Sequence, residues 1–595
     1  MTRRWKILVM MCCWCLNSLA TKEVIDFHEI RITPDSSLAD AVRKAREMKR
    51  IGGQATIVTI SLAPGIYHLY EPLRLRPEDS GLTIEGDGAI ISGGQEVNVW
   101  KHEGKFYTAD IPDFNGYPVD FRQLWVNQEK AVRARDVVDF EQMHRILTYD
   151  KKNKILWVPK NSIPKAILKK AAALPEMVLH EMWCTSNLRI KSLTPQGDSV
   201  AVRFHDPEAK LQFEHPWPSP MTPNTGNPSP FYLTNAKELL DWPGEWFYDY
   251  RTQKLWYYPR DREGMVFGES FTAVYPVVET LIEVMGTPDH SVRDITIKDI
   301  TFSHTTWMRP SQKGHVPLQA GMYLTEAYKL RPQIDRPNNH KLDNQGWLGR
   351  ADAAVELRYA ENVSFKRCRF EHLGGSGLDY VVGCKGGKVS NCRFNDIAMN
   401  GLVVGNFSPE GLETHLPYQP ADSREVCNEL TIEQSEFCDI ANDDWGCVAI
   451  AAGYVSGITI EHNTIHDVSY TGISLGWGWN RDSVCMKDNK VHANLIYNYA
   501  QHMYDCAGIY TLGNQPGTLI SENVVRDIAK PTYVHDPNHW FYLYTDEGSS
   551  NITVRDNWTP SEKYLQNANG PGNVWENNGP QVSETIMRNA GKHNQ

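Results

Sequence analysis

The segments NVSFKRCRFEHL (362–373), GKVSNCRFNDI (387–397), ELTIEQSEFCDI (429–440), ITIEHNTIHDV (458–468), NKVHANLIYNY (489–499), TLISENVVRDI (518–528) and NITVRDNWTP (551–560) follow one pattern. Each has two apolar positions, a small or amide residue, one more apolar residue and a polar corner. The apolar anchors Phe370, Phe394, Phe437, Ile465, Ile496 and Val525 are separated by 24, 43, 28, 31 and 29 residues. That is the spacing of stacked repeats rather than of one globular core. Two residues before each anchor stand Cys368, Cys392, Ser435, Asn463, Asn494 and Asn523. Stacked strands place these in one column, where small and amide side chains bond each other and the turning backbone. Strands this short, with no 12-residue helices between them, exclude a doubly wound sheet. The pattern predicts an all-β chain wound as a right-handed parallel β-helix, a solenoid.

A solenoid of 595 residues escapes the size limit of a single core because each coil contacts only its neighbours. At the N-terminus, MTRRWKILVMMCCWCLNSLA has a basic head, an apolar run from Ile7 to Leu16, and Ser18 and Ala20 at small-residue positions. This predicts a secretory signal peptide over 1–20, too short to span a membrane. A lipoprotein signal is the competing reading, and Met11, Cys12 and Trp14 are poor residues to precede a lipidated cysteine. Loss of Arg3, Arg4 and Lys6 with the leader takes the formal charge from −11 to −14. So acidic a protein is a poor nucleic-acid binder. The expectation is a secreted or periplasmic monomer with no membrane span. Nine cysteines remain, an odd number, and Cys368 and Cys392 stand in the stacking column. They read as buried small residues, not a disulfide framework. No pair has zinc-site spacing, and no metal or cofactor is expected.

After the leader, SSLADAVRKAREM sets Leu38, Ala41, Val42, Ala45 and Met48 on one helical face. A solenoid end exposes strand edges, so this helix reads as the cap, followed by the first coils up to residue 97. Over 98–270 tryptophan and proline become frequent. YDKKNKILWVP (149–159) and YDYRTQKLWYYP (248–259) echo each other as hairpins. An inserted β-rich, sandwich-like domain is predicted here. The main β-helix then occupies 271–595, with long loops at about 311–350 and between Phe407 and Cys427. Such loops gather on one side of a repeat protein and build its cleft.

Most carboxylates have a structural explanation. His372, Asp396, Asp439, Asp467, Asn498 and Asp527 mark one corner of every coil, where a short polar side chain bonds the turn. A second strand per coil reads GLDYV, GLVVG, CVAIA, GISLG, GIYTLG and LYTDEG. With Leu378, Leu402, Val448, Ile473, Ile509 and Leu543 inward, alternate residues point outward. Ser474, Tyr510, Tyr544 and Asp546 are then outward, and Trp477 and Trp479 stand just beyond. Aromatic faces beside an outward carboxylate suit a sugar subsite; the bland alternative is aromatics filling gaps between coils. Asp505 precedes the neighbouring strand, where 12 residues separate Ile496 from Gly508 against seven between Ile465 and Gly472. The extra residues bulge and carry the acid. With coils about 4.8 Å apart, Asp505 and Asp546 would approach the roughly 5–9 Å of paired glycosidase carboxylates. Asp379 lies five coils away, roughly 24 Å, too far to share one bond. Asp443 and Asp444 are expected as substrate contacts or loop caps, and His304 is a candidate cleft residue for which a satisfied core or corner role is the favoured reading. Glu547 is a reserve acid, which alternation turns away unless the strand has ended.

FRQLWVNQEKAVRAR, GEWFYDYRTQKLWYYP, AAVELRYAENVSFKRCRFEHLGGSGLD, AGYVSGITIEHNTIHDVSYTGISLGWGW, DCAGIYTLGNQPGT and YTDEGSSNITVRDN together resemble the secreted β-helix enzymes of glycoside hydrolase family 141. The resemblance covers nearly all of the mature chain. GISLGWGW and DCAGIYTLG are fairly specific; the N-x-I-x-D turns are generic to the fold. The family includes an α-L-fucosidase acting on the pectin rhamnogalacturonan II, and a xylanase. The resemblance implies catalytic aspartates at Asp505 and Asp546 and an oligosaccharide or polysaccharide substrate. Cys506 and Ala507 stand where relatives more often carry glycines, which puts the substrate range in question. Alternatives are a xylan-active hydrolase, a polysaccharide lyase and a non-catalytic binding solenoid. A polygalacturonase is disfavoured because its Gly-His-Gly and Asn-Thr-Asp signatures are missing, and a lyase because no acidic cluster stands beside an Arg/Lys pair.

Overall fold

The computed structural model describes residues 26–53, 56–169, 174–215, 217–260, 272–327, 346–408 and 412–593; the leader expected over 1–20 lies outside these. The anchors determine the winding. Phe370 pairs in parallel register with Phe394, Phe394 with Phe437, Phe437 with Ile465, Ile465 with Ile496, and Ile496 with Val525. All are fully buried. Parallel pairing sets like against like on every rung. The Phe370 and Phe394 rings stack with centroids 4.6 Å apart, and Phe394 and Phe437 at 4.5 Å, close to the strand spacing itself.

The polar column is a hydrogen-bonded ladder. Asn463 donates to Oδ1 of Asn494, Asn494 to Asn523, Asn523 to Asn557, and Asn557 to Asn578. Each of these acceptors also takes the backbone N–H of the asparagine one coil back. All five asparagines are buried, so the ladder satisfies donors that water does not reach. The corner residues His372, Asp396, Asp439, Asp467, Asn498 and Asp527 all adopt left-handed φ, between 48° and 60°. Asn and Asp are enriched in that region because their short polar side chains bond locally.

Each coil contributes three strand positions. Two lie in the long parallel sheet, as with Lys388–Ser390 and Arg393–Ile397. The third lies in a ten-stranded parallel sheet that, among the described residues, runs from Leu73–Leu75 to Tyr564–Gln566. In this third row Leu378, Leu402, Ile450, Ile473, Ile509 and Leu543 stand in register. Ile450 replaces the expected Val448. Asn400 Oδ1 accepts the Val448 amide at 2.8 Å, and the strand meets its neighbour two residues later. A slip of two keeps the same face inward.

The helix Leu38–Gly52 caps the N-terminal end, with Leu38, Ala41, Val42 and Ala45 buried and Ser37 as N-cap. Strand Leu82–Ser92 pairs directly with Thr296–Thr305, and the chain leaves the solenoid after Ser92 and is back in it at strand Ile282–Met285. Gly94–Glu96 and Ala273–Pro276 form the antiparallel stem of that excursion. The insert consists mainly of a five-stranded and a seven-stranded sheet. Its two Tyr-Asp segments are hairpins, Thr148–Asp150 with Ile155–Pro159 and Glu245–Asp249 with Lys254–Tyr257, each turning through a left-handed residue, Lys154 or Gln253. The insert docks back on the solenoid: Trp125 Nε1 donates to Asp396 at 2.7 Å. The nine cysteines at positions 184–506 are free. Among the described residues no helix is long and apolar enough to cross a membrane.

Candidate active site

Strands Cys506–Thr511 and Trp540–Thr545 are neighbours in the ten-stranded sheet, with Ser474 beside Tyr510 and Tyr510 beside Tyr544. The two tyrosine rings meet edge to face at 5.0 Å. Asp505 immediately precedes the first strand in a left-handed conformation, φ 54°. Its N–H donates to the His539 carbonyl at 2.7 Å, and its carbonyl accepts the Tyr470 hydroxyl at 2.8 Å. Asp546 immediately follows the second strand, its N–H bonded to the Thr511 carbonyl at 3.0 Å. Both side chains line one cavity of about 340 Å³.

The two acids have different surroundings. Tyr510 donates its hydroxyl to Asp546 Oδ2 at 2.5 Å, and Asn567 Nδ2 donates to Oδ1 at 2.7 Å. Burial pushes the Asp546 carboxyl up to about 6; the two hydrogen bonds oppose the rise and the charge of Asp505 adds to it. At Asp505, His539 Nε2 lies 3.1 Å from Oδ1, an ion-pair distance without hydrogen-bond alignment. That contact raises the imidazole above its ordinary value. Burial, then the charges of Asp505 and Asp546, push the Tyr544 phenol up strongly, so this ring remains protonated.

Around the acids the solenoid supplies Trp479, Tyr470, Tyr510 and Tyr544, and Glu547 joins them. The strand ends at Thr545, so alternation no longer turns Glu547 away. Trp477 does not line the cavity. It is buried, donates to Thr414 Oγ1 at 3.2 Å and packs edge-on behind Trp479 at 5.0 Å.

Three other expected contacts stand elsewhere, at the seam between solenoid and insert. Asp443 pairs with Lys130 at 2.8 Å. Asp444 is buried, accepting from His315 Nε2 at 2.9 Å and Thr185 at 3.3 Å. His304 bonds Ser92 at 2.9 Å and packs between Trp125 and His372. Burial, with His372 alongside, pushes it down to about 3 and keeps it neutral. Asp379 is buried and paired with Arg350 at 2.6 Å.

Conversely, sequence reasoning passed over several wall residues. The insert contributes Trp183 and Trp217, and the two long loops contribute Leu318, Gln319 and His415. Their signals were the tryptophan-rich texture of the insert and the lengths of those loops, which marked regions but not residues. Tyr470 and Asn567 stand in ordinary coil positions and carried no signal. Among the described residues one group has metal-ligand character, Glu436, Cys438 and His466. It lies outside the cavity, and Arg393 already contacts Glu436 at 3.3 Å and Cys438 at 3.7 Å.

Residues 104–260 match the family model described as GH141 insertion domain. A solved structure described as a glycoside hydrolase is 55% identical, with TM-score 0.91, over 95% of this chain and 99% of that one. Two weaker likenesses carry no argument. One is the surface adhesin PfbA of Streptococcus pneumoniae, 11% identical, TM-score 0.35, over 90% and 76% of the two chains. The other is an exopolygalacturonase from Thermotoga maritima, 9% identical, TM-score 0.29, over 92% and 91%. No curated protein matches the chain. A parallel β-helix with this insert, and near full-length identity of 55% to a glycoside hydrolase, lead to one conclusion: the chain belongs to glycoside hydrolase family 141.

Proposed function

We propose that this glycoside hydrolase is exo-acting and removes a terminal sugar, most specifically α-L-fucose, from a pectic plant cell-wall glycan, with Asp546 as proton donor and Asp505 as its partner. The basic head and apolar run of residues 1–20 support reading this work as secreted or periplasmic. The observation that carries the residue assignment is the buried Asp546 carboxyl, pushed up to about 6, facing the same cavity as Asp505. A carboxylic acid with pKa near the working pH both holds a proton and releases it. The Tyr510 hydroxyl accepts as well as donates, so its bond to Asp546 survives protonation. Trp479, Trp183 and Trp217 offer aromatic faces to the sugar, and Leu318 an apolar contact suited to a deoxy-sugar methyl.

In this mechanism Asp546 gives its proton to the glycosidic oxygen as the anomeric C–O bond breaks. Asp505 either attacks the anomeric carbon, the resulting ester then being opened by water, or takes a proton from the water that attacks directly. Fucosides, xylosides, galactosides and arabinosides with a nitrophenyl leaving group test both substrate and roles. The fucoside is expected to be cleaved. Asp505→Asn and Asp546→Asn are each expected to lose about 10²–10⁴-fold in rate. Asp546→Asn alone should recover with a dinitrophenyl fucoside, whose departure needs no proton. Cleavage of the xyloside instead would reassign the sugar, and unimpaired variants would remove both aspartates from the mechanism.

A further inference from the structure

We propose that His539 is a positioning residue for catalysis, whose imidazolium pairs with the Asp505 carboxylate and fixes it for attack on the anomeric carbon or for activating water. This rests on the reading of Asp505 as the partner of Asp546, and it does not depend on which sugar is cleaved.

The strand register sets the two residues side by side. Cys506 and Trp540 are partners on neighbouring coils, and Asp505 and His539 immediately precede them. The Asp505 N–H donates to the His539 carbonyl at 2.7 Å, and His539 Nε2 stands 3.1 Å from Asp505 Oδ1. The first contact is main chain to main chain, so it survives a change of side chain at 539. Asp505 Oδ1 is buried with no hydrogen-bond partner, and an acceptor so placed is costly unless a charge or a donor faces it. Among the described residues, His539 is the one cation in ion-pair contact with Asp505. Asp505 lines the catalytic cavity and His539 is not among its lining residues, so the imidazole acts on substrate through the carboxylate.

The groups that face this imidazole favour its charged form. The contact with Asp505 raises it first, burial opposes the rise, and the charges of Asp505, Asp536 and Asp546 add to it. Asp536 lies on the same loop, whereas Asp505 and Asp546 flank the two neighbouring strands. The imidazole packs on Phe541 edge to face at 5.1 Å. The nearby lysines are turned elsewhere: Lys530 and Lys563 lie over the Trp540 ring at 4.6 and 3.9 Å, and Lys563 also donates to the Asn538 carbonyl at 2.7 Å. The Tyr544 phenol faces both catalytic carboxyls and brings no positive charge.

The insert latches the loop that carries the histidine. Arg145 Nη2 donates to the Tyr533 carbonyl at 2.9 Å, and Asn227 Nδ2 to the Val534 carbonyl at 3.3 Å. His535 Nδ1 lies 3.0 Å from the Asn227 carbonyl, and Glu141 accepts the Thr532 N–H at 3.2 Å. Residues 532–535 are thus tied to the insert at one end, and Trp540 is tied to the sheet at the other. Anchoring both ends of so short a stretch limits where the imidazole can stand.

The test compares His539→Gln, which keeps a donor and loses the charge, with His539→Arg, which keeps a cation, on whichever aryl glycoside the full-length wild type cleaves. His539→Gln should lower kcat by about ten- to hundredfold with KM held within about twofold and the thermal midpoint unchanged. A positive neighbour favours the ionised form of a carboxylate, so in His539→Gln the acidic limb of kcat/KM should move to higher pH by roughly one unit. In His539→Arg it should move less. An unmoved limb in His539→Gln, or the same displacement in both variants, would overturn this inference; if Asp505→Asn is then still inactive, the catalytic reading stands without it. Full activity in Asp505→Asn would instead overturn that reading and this inference together.

Discussion

Asp546 shows how much one environment decides. A proton donor poised at about 6 works only while it holds its proton, so kcat/KM should fall as pH rises through that value. Tyr510 donates to the carboxylate and so favours the ionised form. Tyr510→Phe removes that preference, and the alkaline limb should move upward by roughly one unit. A pH–rate profile that stays put or moves down would contradict the acid role. From sequence, strand alternation placed Tyr510, Tyr544 and Asp546 on one face; the register pairs Tyr510 with Tyr544, and Asp546, just past the strand's end, lines the same cavity. Asp443, Asp444 and His304, for which capping or core roles competed with substrate contact, are not among the residues lining that cavity. Their partners Lys130, His315 and Ser92 are far away in the chain, and no local pattern announces such pairs.

At the scale of elements, the asparagine ladder makes the coils cohesive. Asn494 accepts from the Asn463 backbone and side chain, and donates to the Ile460 carbonyl and to Asn523. Asn494→Ala strands several buried groups, each costing about 1–3 kcal/mol. The net loss should be roughly 2–5 kcal/mol in urea unfolding; a loss below about 1 kcal/mol would mean that water takes the place of the amide. Anchors, ladder and corners were legible because parallel stacking repeats the same chemistry on every rung. The third row was less so. Its strands Leu402–Val404 and Ile450–Ala452 have only three residues each and flank a long loop, which left room for the two-residue slip past Val448.

For the whole molecule, the docking of the insert decides whether a cavity exists at all. Asp444 ties Thr185 and His315 to the solenoid, and Thr185 follows Trp183 by two residues. Asp444→Ala should let that hairpin tip shift. The expected result is a kcat/KM lowered by about tenfold or more, with the β-sheet circular dichroism retained. Wild-type kcat/KM in this variant would show that the insert holds its place without the clamp. The winding of the chain, its inward and outward faces and the candidate acids were determined by sequence alone, because β-helix contacts recur at short, nearly regular separations that leave a period in the residues. The walls of the cavity were decided only by tertiary structure. Trp183, Trp217, Leu318 and His415 reach Asp505 and Asp546 because an insert and two loops fold back across the solenoid, and such long-range closure leaves no period to read.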